Sequence, residues 1–130
     1  MNEETQETIC AALALAMGYY VIEECGWNRW QVAHNSGVFP FATRERCEEF
    51  VLKTAPGYLT DWKATGALIE WAVSTNLSVR VYPFRGAFLG EVDPIDSSTY
   101  YEAADCKTAQ EALVRAIYAA IKARAESERK

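Results

Sequence analysis

Residues Thr108–Arg124 read TAQEALVRAIYAAIKAR, and no other stretch of the chain has so regular a pattern. Its apolar residues recur every three or four positions, which predicts one face of an amphipathic helix: Ala109, Ala112, Leu113, Ala116, Ile117, Ala120 and Ile121. Thr108 and Glu111 have the spacing of a capping box, and Lys122 and Arg124 suit the negative end of the helix dipole. Because alanine dominates the apolar face, we expect the element packed against it to approach closely.

Composition predicts an ordinary globular domain. The chain has 130 residues, of which half are hydrophobic. A chain of this length buries roughly two thirds of its unfolded surface, so it forms a core without metals or disulfides. We therefore expect a single domain from 1 to 130. The sixteen aromatic residues suit such a core, but four Trp and seven Tyr also suggest an aromatic binding surface.

Charge and cysteine spacing argue against several classes of protein. The net charge of -5 disfavours duplex nucleic acid, because phosphate binding depends on Lys and Arg. Cys10, Cys25, Cys47 and Cys106 lie far apart with only His34 to join them, so we expect no zinc site and free thiols in a reducing cytosol. The apolar run Ile9–Met17 follows acidic residues and is short, which argues against a signal peptide or a membrane helix.

The first half of the chain predicts two helices around a hairpin. We expect, in order, a helix from about Glu3 to Met17 ended by Gly18, strands Tyr19–Glu23 and Trp30–Ala33, a loop marked by Ser36, Gly37 and Pro40, and a short helix capped by Thr43.

The second half predicts the order helix, strand, strand, strand, helix. Thr60 or Asp61 caps a helix that runs to about Thr75, with Asn76 as its stop. The alternating stretch Ser78–Phe84 turns at Arg85-Gly86 into Ala87–Val92, and a third strand spans about Thr99–Ala103 before the final helix. Together the halves predict an α+β fold, with an antiparallel sheet layered with helices as an α-β-α sandwich.

Several stretches resemble the phage ABA sandwich domain family. They are Ala16-Met17-Gly18-Tyr19, Tyr58-Leu59-Thr60-Asp61-Trp62, Ala64–Trp71, the hairpin Val79–Val92 and the Ala-rich helix from near Ala104. The resemblance covers roughly Leu13–Ala125, although the family's long aromatic fourth strand corresponds here only to Ala87–Val92. It implies an α-β-α fold, a phage or prophage origin and an intracellular protein, and it supplies no catalytic residues.

No combination of residue types in the sequence predicts catalysis. His34 is the only imidazole and has no nucleophile motif beside it. The acidic pairs Glu23-Glu24, Glu48-Glu49 and Asp93 with Asp96 are typical of solvated surface, and the glycines are isolated at turns rather than gathered in a phosphate-binding loop. We therefore expect no enzyme activity, no metal and no cofactor.

Two patches suggest binding. The first places Trp27, Asn28, Arg29 and Trp30 at a turn, where indoles and a guanidinium can stack on a ligand. The second places Arg80, Tyr82, Phe84, Arg85 and Tyr100 on one sheet face, which would suit a phosphate and a planar base. The structural alternative for the second patch is that a helix covers its aromatic residues while its arginines pair with Glu91 or Glu102.

These observations predict a phage accessory protein that acts by binding in the host cytoplasm. One hypothesis is a counter-defence factor whose acidic surface mimics nucleic acid for a basic host protein, such as a CRISPR or restriction enzyme. A second is a sponge that sequesters a host nucleotide messenger, and a third is a structural or assembly accessory protein. The first predicts a contiguous Glu and Asp patch, and the second a concave pocket lined by Arg and Tyr. A homodimer or higher homo-oligomer is compatible with each.

Overall fold

A computed structural model describes residues 5–27, 29–34, 37–95 and 99–128. The expectations for Asn28, Ser36 and Asp96 fall outside these residues. The chain forms two compact units, Met1–Pro56 (unit 1) and Gly57–Lys130 (unit 2). The expectation of a single domain from 1 to 130 stays a prediction.

Unit 1 contains two helices and a three-stranded antiparallel sheet. Its elements are α1 Gln6–Ala16, β1 Val21–Glu24, β2 Trp30–His34, β3 Gly37–Phe41 and α2 Arg44–Thr54. The strand order is β1-β2-β3, and β3 occupies the stretch that the sequence predicted as a loop. Pro40 is compatible with β3 because a proline, which lacks a backbone N–H, is tolerated on an edge strand.

Aromatic side chains hold α2 against the sheet of unit 1. The ring of Phe50 on α2 lies 5.0 Å from that of Phe39 and 5.3 Å from that of Phe41, centroid to centroid. The hydroxyl of Tyr20 donates hydrogen bonds to the carbonyl oxygen of Thr54 at 3.0 Å and to its Oγ1 at 2.9 Å. The end of α2 is therefore tied to the segment that leads into β1.

Unit 2 has the same element order as unit 1. Its elements are α3 Trp62–Ser74, β4 Leu77–Phe84, β5 Ala87–Pro94, β6 Tyr101–Cys106 and α4 Ala109–Glu128. The strands are antiparallel in the order β4-β5-β6. The predicted order of this half is confirmed, but β6 begins two residues later than expected and extends to Cys106. The Arg85-Gly86 turn has φ angles of 53° and 80°, which are typical of a type I′ hairpin.

Close backbone packing joins α4 to the sheet of unit 2. Gly90 on β5 is buried, and a Cβ atom built there would lie 2.1 Å from the carbonyl oxygen of Ala112. The predicted apolar face of α4 is buried in large part, since Ala112, Ala116 and Ile117 are fully inaccessible. The small residues of this face permit the close approach that the sequence suggested.

The helix ends follow the sequence signals. The hydroxyl of Thr43 accepts a hydrogen bond from the N–H of Arg46 at 3.2 Å, and Asp61 accepts one from Lys63 at 3.0 Å. Thr108 accepts one from the N–H of Glu111 at 3.0 Å. Asn76 ends α3 in the left-handed conformation with φ 68°. The α+β class and the antiparallel strands layered with helices are confirmed, and the described residues form two sheets of three strands each.

Candidate functional site

The first patch forms a cleft at the turn between β1 and β2, which we call the hairpin cleft. It is lined by Cys25, Trp27, Arg29, Trp30, Pro40, Phe41 and Ala42 and encloses about 580 Å³. Gly26 shapes the turn with φ 109°, and its carbonyl oxygen accepts a hydrogen bond from the N–H of Arg29 at 2.7 Å. The N–H of Cys25 donates to the carbonyl oxygen of Arg29 at 2.9 Å. This tight turn presents the side chains of Cys25, Trp27 and Arg29 to solvent.

Aromatic rings and guanidinium groups meet at the hairpin cleft. Trp27 is 98% exposed, whereas Trp30 is half-buried. The guanidinium carbon of Arg44 lies 5.8 Å from the centroid of the Trp30 ring, within the range of a cation–π contact. Arg29 is exposed and forms no ion pair with any residue that the structure describes. The cleft therefore offers a stacking surface and a cation without an acidic partner.

The second patch lies on the face of the unit 2 sheet that contains alternate residues of β4. Register places Arg80 opposite Glu91, and Glu91 opposite Glu102 on β6, while Ser78 is opposite Asp93. We call Arg80, Tyr82, Glu91, Asp93 and Glu102 the charged face. It has three carboxylates for one guanidinium, so its formal charge is negative.

Arg80 is held by two of these carboxylates. Its Nη2 atom lies 2.5 Å from Oδ2 of Asp93 and 3.5 Å from Oε2 of Glu91. The Arg80 side chain is 54% exposed, whereas those of Asp93 and Glu91 are 31% and 18% exposed. An anionic ligand would have to displace these carboxylates from Arg80, so the local electrostatics favour a cationic ligand.

Tyr82 is also bonded to the acidic groups. Its hydroxyl donates a short hydrogen bond to Oε1 of Glu91. This hydrogen bond, followed by desolvation and by the charges of Glu91 and Glu102, raises the pKa of Tyr82 above its ordinary value of 10.0. Tyr82 therefore stays protonated and keeps donating to Glu91 at neutral pH.

The remaining predicted residues of this patch do not all lie at the same place. Tyr100 is exposed and shares a cleft of about 430 Å³ with Arg80, Glu91 and Asp93. Arg85 lies instead at the hairpin turn, where its guanidinium carbon is 5.2 Å from the centroid of the Phe84 ring. The structure thus brings Arg80 and Tyr100 to one cleft but does not place Arg85 among its lining residues.

The sequence left open the alternative that the arginines of this patch pair with acidic residues while a helix covers its aromatic rings. The pairing is correct for one arginine. Arg80 pairs with Glu91, as that alternative required, and with Asp93 rather than Glu102. The aromatic part of the alternative is wrong, because Tyr82, Phe84 and Tyr100 are exposed.

Sequence patterns missed several members of both patches. Asp93 appeared only as half of an acidic pair, and the β4–β5 register was needed to bring it to Arg80. Phe41 follows the predicted loop marked by Gly37 and Pro40, yet it is opposite Trp30 in the β2–β3 register. The hairpin cleft could have been found only if β3 had been recognised as a strand.

His34 lies among aromatic side chains. Its ring centroid is 4.5 Å from that of Tyr19 and 4.9 Å from that of Tyr20. Among the described residues, no three His, Cys, Asp or Glu side chains are grouped so as to hold a metal ion. Within the same part of the chain, no helix is long and apolar enough to cross a membrane.

The cysteines divide into three buried thiols and an exposed one. Cys10, Cys47 and Cys106 are buried, whereas Cys25 is exposed at the hairpin cleft. Burial is the largest cause that raises the pKa of Cys47 and of Cys106 above 9.0. Cys47 and Cys106 therefore stay protonated at neutral pH, and buried thiols of this kind pack as small apolar groups.

Comparison with known proteins gives a match of fold. No protein-family model matches the sequence, and no curated protein matches it. The structure is similar to the 2.0 Å crystal structure of a phage protein from Bacillus cereus ATCC 14579, with a TM-score of 0.55 and 12% sequence identity. The match covers 92% of this chain and 94% of that chain. This chain therefore has the fold of a phage protein.

Proposed function

We propose that this chain is a phage accessory protein that inhibits a host protein in the host cytoplasm by binding a basic surface through the charged face. The observation that carries the proposal is the neutralisation of Arg80 by Asp93 and Glu91, which leaves the face negative. The fold likeness to a phage protein supports the phage origin.

Charge and exposure support a basic protein partner over a free anion. Glu102 is exposed beside Glu91 on the neighbouring strand, so the carboxylates form a continuous row. Such a row attracts lysine and arginine side chains and speeds association with a basic partner. Exposed Tyr82 and Tyr100 supply the aromatic contacts that carry much of the energy at interfaces. A nucleic-acid-binding host enzyme, such as a CRISPR or restriction nuclease, has the required basic surface.

The proposal is tested by inhibition of purified host nucleases. The full chain is added to a panel of restriction and CRISPR nucleases, and cleavage is measured as salt concentration rises. We expect inhibition of at least one enzyme, weakened at least about tenfold by Glu102→Lys and weakened by salt. Glu70→Lys, on the exposed side of α3, is the matched control. Inhibition that survives Glu102→Lys, or no inhibition across the panel, contradicts the proposal.

A second candidate function is the sequestration of a nucleotide messenger at the hairpin cleft. The observation that favours it is that Arg29, which forms no ion pair with the described residues, lines one cleft with the rings of Trp27 and Trp30. A guanidinium suits a phosphate, and an indole suits a planar base. Native mass spectrometry with cyclic nucleotides distinguishes the candidates, because a bound nucleotide that is lost in Trp27→Ala supports this function. The same spectrum reports a homo-oligomer, and an oligomer without ligand favours an assembly role.

A further inference from the structure

We propose that the groove between α1 and α2 binds a basic amphipathic helix of a partner protein. This site lies in unit 1 and does not depend on the charged face or the hairpin cleft. We call it the helix groove, and it encloses about 410 Å³. Its lining combines apolar side chains with glutamates, whereas the hairpin cleft combines apolar side chains with Arg29.

The apolar part of the helix groove presents side chains that the fold leaves uncovered. Leu15 on α1 and Leu52 on α2 both line the groove, and each is 38% exposed. The small side chains of Ala11 and Ala12 and the buried Val51 also line the groove. Exposed leucines beside an apolar floor of this kind can receive the apolar face of an amphipathic helix.

The acidic residues of the helix groove favour a partner that carries positive charge. Glu45, Glu48 and Glu49 line it, and none of the described residues that line it is a Lys or an Arg. Glu48 is 3.5 Å from Arg44 and Glu49 is 3.7 Å from Arg46, but all four side chains are more than half exposed. Exposed pairs of this kind contribute little, so the carboxylates can exchange these partners for basic residues of a bound helix.

The same glutamates argue against a second copy of this chain as the occupant. A symmetric dimer through this groove places the same surface of both copies together. Such a dimer would gather Glu45, Glu48 and Glu49 of both copies into one interface, and this accumulation of like charge opposes association. A basic helix satisfies both the apolar floor and the acidic residues.

The test uses a designed peptide as the probe. A dye-labelled Leu/Lys peptide of about 18 residues forms an amphipathic helix of five turns, and its binding to the full chain is measured by fluorescence anisotropy. We expect saturable binding that Leu15→Ser and Leu52→Ser each weaken at least about tenfold. Glu45→Lys should weaken it further as salt is lowered, because repulsion then grows.

Controls separate the groove from general electrostatics and from misfolding. Val73→Ser and Glu70→Lys, at exposed positions on α3, should leave peptide binding unchanged. Circular dichroism confirms that each variant is folded.

Several results would overturn the inference. Among them are equal binding of a Leu/Lys peptide with scrambled order, equal binding of a Leu/Glu peptide, and unchanged binding in the leucine variants. Loss of peptide binding in Glu102→Lys would instead transfer the site to the charged face and also overturn it. Self-association of the chain that disappears in Leu15→Ser would show that a second copy fills the groove, against the proposal.

Discussion

In unit 1, α2 meets its sheet through aromatic rings, whereas in unit 2 α4 meets its sheet through backbone. Phe50 lies against Phe39 and Phe41. Because Gly90 has no side chain, its strand can lie close to the backbone carbonyl of Ala112. Both units have the order helix, three antiparallel strands, helix. One element order therefore accepts either large or small residues at the helix–sheet contact, provided that the two surfaces match in size.

The largest effect is expected from Gly90→Ala in unit 2. The added Cβ would lie 2.1 Å from the oxygen and 2.5 Å from the carbon of the Ala112 carbonyl, so strand and helix must separate. We expect a loss of about 3 kcal/mol in the free energy of unfolding, measured by urea denaturation. Gly66→Ala in α3 is the control, because open space surrounds Gly66 and alanine favours a helix by about 1 kcal/mol. Near-normal stability of Gly90→Ala would refute the close-packing account.

The counterpart in unit 1 is Phe50→Ala. This change removes the ring that contacts Phe39 and Phe41. Because Phe50 is half-buried, we expect a loss of about 2 kcal/mol, below the range for a fully buried phenylalanine. Phe50→Leu should lose less, since it keeps apolar volume. Amide hydrogen exchange measures the effect, and we expect it to be greatest in α2 and β3. Equal losses for the two variants would mean that the ring contacts add nothing.

The two units also differ in the hydrogen bonds that a side-chain hydroxyl group forms. In unit 2 the buried Thr65 hydroxyl donates to the carbonyl of Tyr58 at 2.7 Å and accepts from Nε2 of Gln110 at 2.9 Å. Thr65→Val should lose about 2 kcal/mol, because it leaves buried groups without their partner. In unit 1, Tyr20→Phe removes the hydroxyl that bonds Thr54 and should lose about 1 kcal/mol. Thermal unfolding ranks the two variants, and the reverse ranking would contradict the burial argument.

The smallest expected effect is a shift in the titration of Tyr82 on the charged face. The hydrogen bond to Glu91 raises the pKa of Tyr82 above 10.0 in the folded chain. Its stabilising effect is therefore complete below pH 10.0 and is lost as pH rises through the folded pKa. Tyrosinate absorbance should show a late titration step that disappears in Tyr82→Phe and moves to lower pH in Glu91→Gln. An unchanged titration in Glu91→Gln would rule out this hydrogen bond as the cause.

The sequence predicted those parts of the fold that depend on local signals. The caps at Thr43, Asp61 and Thr108 and the stop at Asn76 each rest on residues within one turn of the helix end, and all are confirmed. β3 could not be predicted in the same way, because Gly37 and Pro40 are loop signals. Their compatibility with a strand depends on its edge position, which is a property of the sheet.

The candidate sites depended more strongly on tertiary structure. Alternation along β4 predicted that Arg80 and Tyr82 share a face, but the register with β5 decided that Asp93 and Glu91 pair with Arg80. No local sequence pattern indicated the helix groove, because the three strands of unit 1 lie between α1 and α2 along the chain. Leu15 and Leu52 come together only when those helices pack.

The distribution of the thiols makes the molecule suitable for site-specific labelling. Since Cys25 is exposed while Cys10, Cys47 and Cys106 are buried, a maleimide dye should attach at a single position of the folded chain without mutagenesis. Cys25 lines the hairpin cleft together with Trp27, so the tryptophan would quench a suitable dye at short range. A ligand that separates the two would brighten the emission, which gives the native sequence an optical reporter of its own.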